Sequence, residues 1–288
     1  AFGTHTPFVH AGPLTRTVRD AALVTQVMSG PHDDVPFSLP DDGLDLLAAL
    51  EADIGELRVS YSRDWGRFAV DEQVASVVEH CVGRLQSAGI AIEASEFSLP
   101  LDQDELAALV RLQVGVAYAE MFASLADGGL DVLHDHADDV PDEIHEMVAE
   151  ALTRSALDCR RDEVARSLVW SAVQRMFSNC DILLTPTVGA LPVANDDNGG
   201  TLGPTEVDGQ QVERTIGWCL THPLNFTGHP AASVPAGFSD GDGLPVGLQV
   251  VGRRFRDDQV VSVCRAIERV CPWMPALEQV SNRLASSE

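Results

Sequence analysis

The chain has 288 residues, enough for one large domain, and carries 44 acidic against 19 basic residues, a formal net charge of −25. Such a charge argues against binding to the phosphate backbone of nucleic acids and disfavours an anionic membrane surface. Every basic residue is Arg and Lys is absent, a composition typical of proteomes adapted to high salt. At molar salt the Debye length falls to about 3 Å, so an acidic surface hardly repels itself. We therefore expect a halophilic protein; the alternative is an ordinary acidic enzyme with an unusual composition.

The cysteines show neither a CxxC pair nor a regular spacing, which predicts reduced, buried thiols. The sequence shows no signal peptide, and we recognise no apolar run of about 18 residues that would cross a membrane. We therefore expect a cytoplasmic protein that does not associate with membranes. The six cysteines are Cys81, Cys159, Cys180, Cys219, Cys264 and Cys271.

The first half of the chain predicts an α/β arrangement. A first helix is expected from Pro13, in a first-turn position, to the stop signal Gly30-Pro31. Leu57–Tyr61 predicts a buried strand, Asp71 is a good N-cap for the helix that follows, and Ile90–Glu93 predicts the next strand. Strand, helix and strand within about 35 residues indicate a βαβ unit with a parallel pair. The other predicted elements are a short helix at 44–50, mostly helical structure at 104–150, a helix at 160–178, a buried strand at 181–185, a surface loop at 194–209, a short helix near 211–221 and a final helix at 257–271.

The stretch from Asn225 to Gly252 contains Pro and Gly at positions that exclude a regular helix. Two β-branched runs, Ala231–Val234 and Val246–Val251, predict two strands joined by a tight turn. Their apolar content predicts that both are buried. No interdomain linker is visible, so residues 1–288 are expected to belong to a single domain.

The residues by themselves predict no catalytic group. The pairs His134/His136 and His5/His10 do not match the spacing of a metal site. A serine nucleophile needs a sharp turn of the GxSxG type, which is absent, and Ser233 lies in a strand predicted to be buried. Two alternatives remain for His222 and His229: they line a pocket beside Asn225, or they bond to loop backbone.

Three segments carry a family resemblance that runs through most of the chain. They are GPLTRTVRDAALVTQVMSGP at 12–31, CDILLTPT at 180–187, and NFTGHPAASVPAGFSDGDGLPVGLQVVG at 225–252. In this order they resemble the amidase signature family, and the composition makes the chain similar to a haloarchaeal amidase. The resemblance implies an α/β fold with a mixed, largely parallel sheet covered by helices. It also implies that residues 1–288 are the C-terminal portion of the domain, a fragment that lacks the N-terminal part of the fold.

The resemblance implies amide hydrolysis through a Ser, cis-Ser, Lys triad without a cofactor. In the family, Lys and the bridging Ser relay a proton, the second Ser attacks the carbonyl, and water releases the acyl group. Those residues lie upstream of the segment that begins here at Gly12, and the chain has no Lys. We therefore assign no catalytic residue and expect the chain to be inactive alone, with a small-molecule amide as the substrate of the whole enzyme.

The region ahead of and within the Asn225–Gly228 turn is implied to form the acyl-side pocket. Its candidate substrate-binding residues are Trp218, Thr221, Asn225 and Phe226. Trp218 and Phe226 are equally compatible with core packing. Trp218 aligns with the Asp that holds the amino group of glutamine in the A subunit of the tRNA-dependent amidotransferase, and an indole cannot replace that carboxylate.

The favoured hypothesis is therefore an amidase for a neutral or apolar acyl group. The alternatives are the A subunit of a glutamyl- or aspartyl-tRNA amidotransferase, which requires partner subunits and tRNA, and a catalytically dead product that acts as a binding module. Without upstream strands the sheet is expected to leave an apolar face or edge uncovered. This predicts a chain that forms homo-oligomers or is poorly stable below molar salt.

Overall fold

A mixed five-stranded sheet lies at the centre of the computed structural model, which describes residues 8–41, 43–197, 200–241 and 243–278. Its strand order is β2-β1-β3-β7-β6, and β4 and β5 form a separate two-stranded sheet. The strands are β1 (Val59–Tyr61), β2 (Ile92–Ala94), β3 (Ile182–Pro186), β4 (Glu206–Val207), β5 (Gln210–Gln211), β6 (Ala231–Phe238) and β7 (Pro245–Gly252).

The pairing of the strands confirms the predicted α/β class. Strand β1 pairs in parallel with both β2 and β3, so the predicted βαβ unit is present. Strand β7 then pairs antiparallel with β3 on one side and with β6 on the other. The sheet is therefore mixed, with parallel pairs at one side and an antiparallel hairpin, β6–β7, at the other.

Helices pack around this sheet, and several of them begin at side-chain caps. The predicted cap of α3 (Glu72–Ser87) is confirmed, since the Asp71 side chain accepts a bond from the Gln73 amide. The start of α1 (Val18–Met28) was predicted too early: Thr17 caps it by accepting from the Asp20 amide, and Leu14 precedes it fully exposed. The helices are α1 (Val18–Met28), α2 (Leu46–Ala49), α3 (Glu72–Ser87), α4 (Gln103–Asp127), α5 (Val132–Asp135), a 3-10 turn (Ala137–Asp139), α6 (Asp142–Leu152), α7 (Ala156–Met176), α8 (His222–Thr227) and α9 (Asp257–Val270).

The two strands of the C-terminal hairpin differ in burial. Strand β7 is almost wholly buried, as predicted, but β6 is an edge strand and its prediction as buried is wrong. The Gly252 amide donates to the Pro230 carbonyl oxygen at 2.9 Å. Alternation along an antiparallel pair then directs the backbone groups of Ala231 and Ser233 away from β7. The described sheet thus ends in an open edge.

The prediction of a surface loop at 194–209 is correct for most of its described residues, although the short strand β4 lies near its end. The predicted helix near 211–221 is wrong, because β5 and turns occupy this segment. The helix lies later, as α8, with a proline in its first turn and Gly228 after its end at φ 62°. That positive φ suits glycine because it has no Cβ. Asn225 therefore lies on a helix, in a segment where the sequence predicted none.

One carboxylate ties three neighbouring strands together at the end of the sheet. Asp181, just before β3, accepts from Arg58 at 3.1 Å and from Arg253 at 2.9 Å. Arg58 precedes β1 and Arg253 follows β7. The Arg58 hydrogen bond is the main reason that the pKa of Asp181 lies below its ordinary value.

Helix α4 is long and apolar enough, by length and composition, to cross a membrane, although the sequence was expected to contain no such run. A single helix of this kind is weak evidence, because core helices of soluble proteins pass the same test. Only 28% of its apolar window is buried inside the described structure. Its main neighbour is α6, and the two helices approach so closely that a Cβ at Gly115 would lie 2.5 Å from the Met147 carbonyl oxygen.

Candidate functional site

An open cavity of about 960 Å³ lies where α8, the turn after it and the start of β6 meet. Segment 10–13 closes one side, and Gln249 of β7 lies on another wall. This volume is within the range of small-molecule sites in proteins, about 300–1,000 Å³. The cavity borders the open edge of the sheet, since Ala231, Ala232 and Ser233 all line it.

Asn225 is held on the cavity wall by a bond to the N-terminal part of the described chain. Its side-chain Nδ2 donates to the Phe8 carbonyl oxygen at 2.7 Å. Phe8 is half-buried and packs against the main core, so the segment that follows it is fixed beside α8. Thr221, the residue before α8, lies on the same wall. The structure therefore brings Thr221 and Asn225 together at the cavity.

Trp218 and Phe226 do not line this cavity. Trp218 is half-buried, and its indole Nε1 donates to the Arg214 carbonyl oxygen at 3.0 Å. Phe226 is buried in the main core, where the His222 ring meets it edge-on at a centroid distance of 6.4 Å. Phe226 therefore belongs to the main core, and Trp218 belongs to a separate small cluster. The small cluster against which Trp218 packs consists of Ala69, Ala190, Val207 and Val212.

A row of polar side chains crosses the sheet towards the cavity. Thr185 of β3 is paired with Gln249 of β7, which is paired with Ser233 of β6. Directly paired residues project from the same face of a sheet, so the three side chains share one face. Thr185 and Gln249 are buried, and Gln249 Nε2 donates to the Leu220 carbonyl oxygen at 3.3 Å. Sequence reasoning missed this row, although polar residues inside two apolar strands were a usable signal.

Ser233 is exposed, which corrects the prediction that it is buried. Its Oγ lies 2.7 Å from Thr187 Oγ1, and the two hydroxyls approach above Gly247 of β7. A Cβ on Gly247 would lie 2.7 Å from Thr187 Oγ1 and 2.9 Å from Ser233 Oγ. Among the described residues, Ser233 Oγ is hydrogen-bonded to another hydroxyl, which is not a base at neutral pH. The arrangement does not activate Ser233 as a nucleophile.

His229 lies at the cavity and His222 lies deeper in the core. The Thr227 hydroxyl donates to the Leu224 carbonyl oxygen and therefore accepts its 2.9 Å bond from His229 Nδ1. His229 thus bonds to a side chain and lines the cavity, whereas one of the two alternatives from the sequence was a bond to loop backbone. Burial lowers the pKa of His229 to about 4, with a smaller effect in the same direction from Arg254.

The ring of His222 is packed among aromatic side chains. Phe68 meets it edge-on at a centroid distance of 5.6 Å. Burial lowers the pKa of His222 to about 4, and the nearby Cys219 carbonyl oxygen acts against this shift. Neither ring nitrogen of His222 has a hydrogen bond of normal geometry. Both histidines are therefore neutral at pH 7, and neither supplies a cation to the site.

Charged groups are few at the cavity. Arg254 is exposed on its wall, where its guanidinium carbon lies 4.8 Å from the centre of the Phe255 ring. Asp257 contributes a carboxylate to the same wall. Partial burial lowers the pKa of His10, and the charge of Arg254 acts in the same direction. The wall is therefore largely uncharged at neutral pH apart from one guanidinium and one carboxylate.

Among the residues that the structure describes, no group of three or more His, Cys, Asp or Glu side chains could hold a metal ion. His134 pairs with Asp135 and His136 with Asp139, both at the surface. His5 lies outside the described residues. Of the described histidines in these pairs, His10 lines the cavity, and His134 and His136 do not.

Comparison with known proteins identifies the fold and its family. The family model described as Amidase matches residues 3–261, almost the whole chain. The chain belongs to the amidase signature family. The family assignment made from the three sequence segments is thereby confirmed.

Relatives of this amidase-family chain include hydrolases and components of amidotransferases. An acylamidase of Rhodococcus erythropolis is 28% identical over 276 residues, which is 92% of this chain and 53% of that protein. The A subunit of the glutamyl-tRNA(Gln) amidotransferase of Rhodospirillum rubrum is 31% identical over 279 residues, 90% of this chain and 52% of that protein. The chain thus spans about half the length of the curated relatives it matches.

A solved structure also matches this chain over about half of its own length. The crystal structure of a bacterial aryl acylamidase of the amidase signature family matches with a TM-score of 0.87 and 31% identity. The match covers 92% of this chain and 53% of that one. The similarity therefore runs through nearly all of the described fold, and about half of the aryl acylamidase has no counterpart in these 288 residues.

Proposed function

We propose that these residues form the C-terminal, acyl-side portion of an amidase that hydrolyses carboxylic amides. The observation that carries this proposal is the combination of an amidase-family fold and a cavity of about 960 Å³ with a chain that contains no Lys. The family's triad requires a Lys, so the triad must come from a polypeptide segment outside these residues. The chain supplies scaffold and pocket wall and is inactive alone.

The open edge of the sheet supports the proposal that the triad and the pocket wall come from different segments of the enzyme. Strand β6 is the last strand of the described sheet, and it carries no charged residue; Pro235 and the register shift beside it limit further pairing to its first half, Ala231–Val234. The proposed partner at this edge is the remainder of the amidase domain. In its absence a second copy of the chain could pair there, which is why we also propose that the isolated chain forms homo-oligomers.

For the substrate, we propose a small amide whose acyl group is neutral or apolar. Thr221 and Asn225 are the proposed contacts with the acyl group, because both line the cavity. Trp218 and Phe226 are proposed to shape this wall from behind. Most of the lining groups are uncharged, which fits a neutral acyl group, while Arg254 and Asp257 supply one charge of each sign to the wall. No cofactor is required by this chemistry.

The A subunit of an amidotransferase is the second candidate, because several relatives have that name at similar identity. The position implied to hold the amino group of glutamine is Trp218, whose indole packs in a separate apolar cluster. A third candidate, from another class, is a catalytically inactive binding module. The six free cysteines agree with the proposed cytoplasmic location, and the charge of −25 with a halophilic source.

Amide hydrolysis measured on this chain and on the product of the full gene separates the three candidates. An amidase predicts hydrolysis of a simple aryl amide by the full product without tRNA or partner proteins. An amidotransferase component predicts glutamine hydrolysis that depends on partner subunits and tRNA. A binding module predicts no hydrolysis by either polypeptide.

A further inference from the structure

Two cysteine thiols from distant parts of the chain meet in the core. The Sγ atoms of Cys81, in α3, and Cys271, directly after α9, are 3.2 Å apart although the residues are separated by 190 positions. Both side chains are buried, with Cys81 fully enclosed and Cys271 5% exposed. No other pair of cysteine sulfurs in the described residues is within hydrogen-bonding reach.

The two thiols are held in this position by the elements that carry them. Helices α3 and α9 both pack against β6 and β7 and also contact each other. The Arg84 guanidinium of α3 donates to the Val270 carbonyl oxygen, one residue before Cys271. The Cys271 amide donates to the Ile267 carbonyl oxygen at 2.7 Å, which fixes the end of α9. The short sulfur–sulfur distance is therefore a property of the packed helices.

We propose that Cys81 and Cys271 form a site of oxidative modification, at which a peroxide converts the two thiols into a disulfide between α3 and the end of α9. Cys271, the more accessible thiol, attacks a peroxide oxygen as the thiolate and becomes a sulfenic acid, with release of hydroxide. Cys81 then attacks this sulfur as the thiolate, and the sulfenic oxygen leaves as hydroxide. In total, two thiols and one hydrogen peroxide give one disulfide and two water molecules.

Both steps depend on pH, because the attacking species in each of them is a thiolate. Burial raises the pKa of the Cys81 thiol, helped by the adjacent Cys271. The thiolate is the attacking species, so the formation of the disulfide should accelerate as the pH rises above neutrality. A neighbouring thiol at 3.2 Å captures the sulfenic acid before further oxidation.

Trypsin provides a sharp readout, because the chain has no Lys and is cleaved only after Arg. Cys81 then lies in peptide 68–84 and Cys271 in peptide 270–283, each as the only cysteine. The 288-residue chain is treated with hydrogen peroxide in molar potassium chloride, alkylated in denaturant and digested. We expect free thiols to fall from six to four and one cross-linked peptide, 68–84 with 270–283.

Three variants complete the test. Cys81→Ser and Cys271→Ser should each abolish the cross-linked peptide, whereas Cys180→Ser should retain it because the Cys180 thiol faces the Met176 carbonyl oxygen. The same treatment in guanidinium should lower the yield of the 81–271 cross-link at least tenfold. Six unmodified thiols after peroxide treatment, or a mixture of other cysteine pairs in the native buffer, would overturn the proposal.

Discussion

The side-chain amide of Asn225 donates a 2.7 Å hydrogen bond to the carbonyl oxygen of Phe8, 217 residues earlier in the chain. This contact places segment 10–13 beside α8, and both then border the cavity. The cavity wall therefore combines the N-terminal part of the described chain with residues between 221 and 257. Its integrity depends on a few long-range polar contacts in addition to the apolar core.

Removal of this contact should destabilise the fold measurably. In Asn225→Ala the Phe8 carbonyl oxygen loses its side-chain donor, so the free energy of unfolding should fall by about 1 kcal/mol. Urea unfolding in molar salt measures the change. The control is Asn179→Ala, an exposed asparagine, which should change the free energy of unfolding by less than about 0.5 kcal/mol. Equal stabilities of the two variants would show that the Asn225 bond does not hold the segment.

The contact between α4 and α6 should not tolerate an extra methyl group. In Gly115→Ala the new Cβ would meet the Met147 carbonyl oxygen at 2.5 Å, so we expect a loss of about 1–3 kcal/mol in the free energy of unfolding. Gly83, in the middle of α3, has no atom within 4 Å of its potential Cβ. Gly83→Ala should therefore stabilise the chain by about 0.5–1 kcal/mol. A stabilised Gly115→Ala variant would contradict the close approach of the two helices.

Acidification should weaken the fold between pH 6.5 and about 4 through His222 and His229. Burial lowers the pKa of both rings to about 4 in the folded chain, against 6.5 for an unperturbed histidine. The unfolded chain therefore binds more protons in this range, and stability is complete above pH 6.5 and falls as the pH decreases. His222→Phe preserves an aromatic ring and should reduce the decline by roughly half. Urea midpoints at pH 7 and pH 5 measure it; an unchanged decline in the variant would exclude His222 as a cause.

Salt should stabilise the chain, because its net charge of −25 repels itself most strongly at low ionic strength. Raising the salt from 0.1 M to 1 M shortens the Debye length from about 10 Å to about 3 Å. Salt also weakens surface ion pairs, but these contribute only about 0–1 kcal/mol each. The melting temperature should therefore rise between 0.1 M and 2 M potassium chloride. A melting temperature that falls over this range would favour the ordinary acidic enzyme.

Local signals in the sequence were sufficient for much of the fold. Asp71 caps α3, the βαβ unit follows from its hydrophobic periods, and the Pro- and Gly-rich stretch forms the β6–β7 hairpin. The position of α8 was missed because Pro223 was not recognised as a first-turn proline, nor Gly228 as the residue after a helix. Proline and glycine interrupt a helix in its interior, but they also mark its first turn and the residue after its end.

The candidate site was less accessible to sequence reasoning than the fold. Thr221 and Asn225 line the cavity, whereas Trp218 and Phe226 pack in other clusters, and substrate binding by these residues stays a prediction. Which side of a short helix faces a cavity depends on tertiary contacts, such as the bond from Asn225 to Phe8. The burial of β6 was mispredicted for a related reason, since an apolar strand does not reveal from its own sequence whether a neighbour covers its edge.

Hydrolysis of p-nitroacetanilide tests the central claim most directly, with the release of p-nitroaniline followed in molar potassium chloride. The account predicts no turnover by the 288-residue chain and turnover by the product of the full gene, lost when the upstream Lys is replaced by Ala. In the full product, Thr221→Val should alter KM more than kcat, because Thr221 is proposed to contact the acyl group. Turnover by the 288-residue chain alone, abolished by Ser233→Ala, would contradict the account, since it would place the catalytic nucleophile within these residues.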